Sequence, residues 1–137
     1  VEYSTYVGGS TVDQAWKVLI DAQGRVAIGG LTLSEDYPVS ARALQPQIAG
    51  VTDTTLTILD LTTTNSAQAL VYSTFFGGSD GEQIYDMRIG PSGRYYFGGY
   101  TLSRDFPVRD AIQSASASLM KAFQGGIGVP GRPRSTV

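Results

Sequence analysis

The stretch Tyr3-Ser4-Thr5-Tyr6-Val7-Gly8-Gly9-Ser10 returns 69 residues later as Tyr72-Ser73-Thr74-Phe75-Phe76-Gly77-Gly78-Ser79. The same shift lays Gly29-Gly30-Leu31-Thr32-Leu33-Ser34-Glu35-Asp36-Tyr37-Pro38-Val39 on Gly98-Gly99-Tyr100-Thr101-Leu102-Ser103-Arg104-Asp105-Phe106-Pro107-Val108. Between Val1 and Val39, 18 of 39 positions are identical without a gap, and several others exchange like for like. Self-similarity at a fixed period is the mark of a repeat architecture. The 137 residues are almost two such units long. They divide into repeat 1 at 1–69, repeat 2 at 70–128 and a flexible basic tail at 129–137.

Within a unit the pattern is that of strands. Trp16, Val18 and Ile20 alternate with Lys17 and Leu19, the period of two expected of a strand with distinct faces. Asp21-Ala22-Gln23-Gly24 supplies turn chemistry, and residues 25–32 read as the returning strand of a hairpin. Gly29-Gly30 inside that strand marks a bulge or a close backbone approach. The second unit repeats the hairpin over residues 83–89 and 94–101, around Gly90-Pro91-Ser92-Gly93. Residues 54–61 and 69–76 give a third and a fourth strand. Residues 109–137 preserve the second half of the unit poorly, so repeat 2 is expected to be degenerate there. The fold class is all-β, with about four antiparallel strands per unit of about 69 residues, the strand count of a β-propeller blade.

Composition removes most common chemistry. With no histidine and no cysteine, imidazole and thiolate metal sites, Ser/His and Cys/His nucleophile pairs, disulfides and thiol redox chemistry are excluded. Twelve acidic against ten basic side chains give a net charge of −2, which does not favour nucleic acid as a partner. No apolar run approaches the about 18 residues that span a membrane as a helix. No cofactor and no catalytic residue is assigned.

The recurring Tyr-Ser-Thr-Tyr/Phe-x-Gly-Gly-Ser string, the Gly-Gly strand end and Ser-x-Asp-Tyr/Phe-Pro-Val together resemble the bacterial SBBP-type β-propeller repeat. Residues 3–39 and 72–108 carry the resemblance, and the family's later strand has a loose counterpart between Gln45 and Leu61. Phe123-Gln124-Gly125-Gly126-Ile127-Gly128 then departs from the family pattern into Val129-Pro130-Gly131-Arg132. The resemblance implies an exported or surface-attached bacterial protein, with no enzymatic activity attached to the repeat itself.

Closed propellers take four to eight blades, because each blade buries its faces on its neighbours. Two blades leave apolar faces open, here the Trp16/Val18/Ile20 and Tyr85/Met87/Ile89 stripes. The expected partners are therefore further copies of the chain, in a ring or a filament, or other propeller segments. Residues 1–7 repeat the unit's fourth strand and are suited to finishing a C-terminal blade, their own or a neighbour's.

Trp16, Tyr85, Tyr96 and Tyr100 are the candidate ligand or assembly surface. Aromatic rings pair an apolar face with a polar tip and stack on sugars, so a glycan is the alternative partner. Against this, the phase that Trp16 shares with Val18 and Ile20 assigns it to a core. Tyr95 and Phe97 share one face of their strand and Tyr96 and Gly98 the other, so one of the two is buried. Asp36 and Asp105 are read as acceptors of backbone N–H bonds in a turn before proline. Only the aspartate recurs, Glu35 becoming Arg104, so no paired-carboxylate device is repeated. Asp13, Asp80 and Glu82 match no dense calcium loop. Gly8-Gly9-Ser10 and Gly77-Gly78-Ser79 lack the lysine and helix of a phosphate loop and read as turns between blades.

Overall fold

The structure is a computed structural model, and it describes residues 2–115 and 120–128. The tail expected at 129–137 lies outside the described residues. Among the described residues, seven strands form two antiparallel sheets. Sheet 1 is an up-and-down meander of β1 (Asp13–Ile20), β2 (Val26–Thr32), β3 (Asp53–Leu59) and β4 (Leu70–Phe76), in that spatial order. Sheet 2 runs β5 (Glu82–Ile89), β6 (Tyr95–Thr101) and β7 (Lys121–Ile127). A single helical turn, α1 (Ser66–Ala69), is capped by the Asn65 side chain on the Ala67 N–H and leads into β4.

Both hairpins close where the turn chemistry placed them. Gly24 and Gly93 have φ of 76° and 75°, a region open to glycine and costly for other residues. The glycine pairs behave as close approaches. A side chain at Gly30 or Gly99 would collide with the carbonyl of Gln14 or Gln83 on the partner strand. That partner strand carries the bulge, with register shifts between Ala15 and Lys17 in β1 and between Ile84 and Asp86 in β5.

One core lies between the sheets. Ala27, Leu56, Ile58 and Tyr72 of sheet 1 pack with Ile84, Met87, Tyr95, Phe97 and Ile127 of sheet 2. Met87 seats over Gly29, its Sδ 3.3 Å from where a Cβ would stand. Tyr95 donates its hydroxyl to Asp21 Oδ2 of the other sheet at 2.8 Å, and Lys17 reaches Asp86 across the same junction at 2.9 Å. The central strand β3 is buried along its whole length, although three of its seven residues are threonine. Their hydroxyls find partners: Thr57 shares hydrogen bonds with Oη of Tyr37, in the loop that covers this face, at 2.9 Å and with Ser73 Oγ of β4 at 3.0 Å.

The second half of repeat 2, expected to be degenerate, contributes one strand among the described residues: β7 pairs with β6 over seven residues, including Gly125 and Gly126. Gly125 is needed there, because a Cβ would press on the Phe97 ring. Trp16 is not core. It is the extra residue of the β1 bulge and stands 49% exposed, in phase with the exposed Val18 and Ile20 on the side of β1 away from sheet 2.

Candidate assembly surface

Each sheet opens on a carboxylate wrapped in the same groups. In sheet 1, Asp13 accepts the Gly9 N–H at 2.8 Å and the hydroxyls of Thr32 at 2.5 Å and Ser34 at 3.1 Å. In sheet 2, Glu82 accepts the Gly78 N–H at 3.0 Å and the hydroxyls of Thr101 and Ser103, both at 2.5 Å. Outside this cradle, Asp36 accepts the N–H and hydroxyl of Ser10 at 2.8 and 3.0 Å, and Asp105 those of Ser79, both at 2.9 Å. These bonds, the backbone N–H foremost, hold both carboxyls below the usual aspartate range. The two aspartates do accept backbone N–H groups, foremost from the Gly-Gly-Ser strings 26 residues earlier and, more weakly, from their own backbone in the turn. A Cβ at Gly9 or Gly78 would meet the serine and aspartate side chains of this knot, which explains the glycine pairs.

The carboxylates are consumed by structure. Glu82 and Asp53 are fully buried on either side of Gly77, and Asp53 also accepts the Ala49 and Gly50 N–H groups and the Gln45 side-chain amide. Burial first, and the Glu82 charge after it, push the Asp53 carboxyl up. Among the described residues, no group of three or more metal-capable side chains gathers. The like-for-like exchange of Asp13 for Glu82, with recurring Thr and Ser at 32/101 and 34/103, is the sequence signal for this cradle.

The four aromatic candidates divide. Tyr96 and Tyr100 alternate along one face of β6, Tyr96 lying against Gly90 and Gly126. Tyr85, the extra residue of the β5 bulge, packs its ring 5.7 Å from that of Tyr100. Tyr95 and Phe97 are the buried pair, pointing at sheet 1. Three of the four candidates thus belong to the outer side of sheet 2, and Trp16 stands apart on sheet 1. Two shallow grooves border the molecule, one lined by Tyr3, Tyr6, Pro38, Leu59 and Leu70, the other by Ser40, Arg42, Leu70 and Tyr72. None of the four aromatics lines either groove.

β1 carries a run of exposed apolar side chains. Val18 and Ile20 are 56% and 63% exposed, whereas their counterparts by the 69-residue shift, Met87 and Ile89, lie in or against the core. The Met87 face of sheet 2 is covered by sheet 1, whereas the Val18 face of sheet 1 is covered over β3 and β4 by Tyr37 and residues 40–45 and stays open, in the described chain, at Val18 and Ile20 on β1. The opposite face of sheet 2 presents Arg88, Tyr96 and Gln124 to solvent.

No family model, no curated protein and no solved structure matches the chain.

Proposed function

We propose that the chain is a non-enzymatic assembly module of β-propeller type. Its two sheets act as blades, and it associates head to tail with further copies of itself. One observation carries the reading: equivalent faces of the two sheets differ in burial, Met87 at 1% exposed against Val18 at 56%. An apolar stripe left bare on one unit and covered on the next is what a repeat array has at its open end. In the proposed contact, the Val18/Ile20 face of one copy rests on the Arg88/Tyr96/Gln124 face of another. It reproduces the contact that Leu19, Ala27 and Leu56 make with Ile84 and Met87 inside the chain. The resemblance to SBBP-type repeats supports the propeller reading, and with it a place outside the cell or on a bacterial surface.

Val18→Asp tests the proposal. A charge in that contact lowers the particle mass toward one chain while the sheet signal in circular dichroism stays. An unchanged particle mass in the variant contradicts the contact.

A second reading rests on the exposed Tyr85 packed on the half-buried Tyr100 ring and on Trp16 at the matching bulge of sheet 1. Such rings are platforms for sugars, which makes a carbohydrate-binding propeller the alternative. Titration with common hexoses, followed by Trp16 fluorescence, supports it if the emission shifts and removes it if the signal stays flat.

A further inference from the structure

We infer that assembly proceeds by strand exchange: residues 3–7 of one copy add to the free edge of β7 in a second copy as its fourth strand. The inference rests on the self-assembly reading above and names the contact that completes the second sheet.

Among the described residues sheet 1 has four strands and sheet 2 has three, and no strand of theirs pairs with the outer edge of β7. At the same place in sheet 1 stands β4, whose Tyr72-Ser73-Thr74 is repeated as Tyr3-Ser4-Thr5. Residues 2–7 belong to neither sheet. They lie beside Pro38, Leu59 and Leu70, along sheet 1. One local bond recurs in both: Thr5 Oγ1 donates to the Tyr6 carbonyl at 3.1 Å, as Thr74 Oγ1 does to the Phe75 carbonyl at 2.8 Å. Their burial is the reverse. Phe75 is fully buried and Tyr72 is 5% exposed, whereas Tyr6 is fully exposed and Tyr3 is half-exposed. Two tyrosines held in water at positions where the same strand elsewhere buries its aromatics are side chains lacking a sheet.

The register follows from pairings already present. β2 meets β3 with Gly30 opposite Thr55, and β6 meets β7 with Gly99 opposite Phe123, so Phe123 holds the place of Thr55. Thr55 pairs with Phe75 and Leu56 with Thr74. Tyr6 of the incoming copy therefore stands opposite Phe123, and Thr5 opposite Gln124. Phe75 packs on Tyr37 with ring centroids 6.0 Å apart, and the counterpart of Tyr37 is Phe106, so Tyr6 meets Phe106 of the acceptor. Bond direction follows as well. The Ser73 carbonyl and the Phe75 N–H point away from β3, to Ser40 and Gln45, so Thr74 is a residue that bonds to β3. By the same geometry, the Thr5 N–H donates to β7 of the acceptor.

Thr5→Pro removes that donor, and Thr5→Val keeps it together with a β-branched shape. Neither substitution touches a ladder bond of the single chain. The expected result is that Thr5→Pro moves the dilution midpoint of the particle about tenfold or more to higher concentration, with Thr5→Val close to the unmodified chain. The natural chain has no cysteine, so a second test is clean. A Tyr6→Cys chain mixed with a Phe123→Cys chain gives a disulfide-linked pair on mild oxidation. Tyr6→Cys mixed with Lys121→Cys, two residues out of register, does not, because the sulfurs are out of reach. If the unmodified chain assembles, and Thr5→Pro assembles equally while the matched cysteines stay unlinked, strand exchange is wrong and assembly through the faces stands. If the unmodified chain has the mass of one chain at every concentration, the self-assembly reading fails and strand exchange fails with it.

Discussion

Residues 72–76 and residues 3–7 have nearly the same sequence and opposite surroundings. The first run is the outer strand of sheet 1, with Phe75 fully buried, and its outer edge is closed by residues 40–45 through the Ser40 N–H to Ser73 and the Phe75 N–H to Gln45. The second run lies along the surface with Tyr6 fully exposed. The same contrast separates Met87 from Val18 on the first strands of the two sheets. Local sequence sets what a strand is able to bury, and the neighbour it meets decides whether it does. Both differences vanish if each bare element meets a second copy.

Paired substitutions break or sharpen this contrast. Met87→Ala empties a filled junction and costs about 2–5 kcal/mol of unfolding free energy in urea titration. Val18→Ala, in solution dilute enough to separate the copies, stays within about 0.5 kcal/mol of the parent, while assembly shifts to higher concentration. Equal losses at the two positions would mean that the faces are not in different surroundings.

The carboxylate cradles give the next largest effect. Thr101→Val takes one hydroxyl from the fully buried Glu82 and costs about 1.5–3 kcal/mol. Thr32→Val does the same to the half-buried Asp13, where water replaces part of the bond, and costs visibly less in the same titration. Tyr95→Phe removes the hydroxyl that binds Asp21 across the junction, for about 1 kcal/mol in thermal or urea unfolding. Burial and the Asp21 charge push the Tyr95 hydroxyl up to about 12, so it stays protonated and donating through the neutral range.

What was legible in the sequence follows from how local its causes are. The hairpins were readable because Gly24 and Gly93 sit in turns whose backbone demands them, and the β-strand period does the rest. Of the two apolar stripes expected to stand open, Val18 and Ile20 are exposed, whereas Met87 and Ile89 are not, because sheet 1 packs on that face of sheet 2. Trp16 is no core residue because the side of β1 that it shares with Val18 and Ile20 meets no second layer, and Leu19 packs on the core instead. The bulge at Trp16 has its mark on the facing strand, in Gly30. β7 was hidden because Gly125 and Gly126 resemble loop sequence, although Gly125 is there to clear Phe97. The Lys17–Asp86 and Tyr95–Asp21 contacts had no local signal, since they exist only once the sheets have packed.

The smallest expected effect concerns that ion pair. Lys17 foremost, with the Met87 N–H and Arg88, draws the exposed Asp86 carboxyl down to about 2 from 3.8. With the folded value below the unfolded one, its contribution is complete above the unfolded value and is lost as the pH falls through the folded one. A Lys17→Met chain should therefore lose less stability than the parent as the pH is lowered from about 4 to about 2. Parallel losses in the two chains across that window would leave the pair without a role at the junction.

The decisive measurement is the mass of the unmodified chain in solution, by light scattering over a dilution series. Assembly through the bare Val18 face and the β7 edge predicts a particle whose mass is an integer multiple of the chain's 14.6 kDa, falling on dilution. A monodisperse particle of one chain, with native sheet content at every concentration, would contradict it.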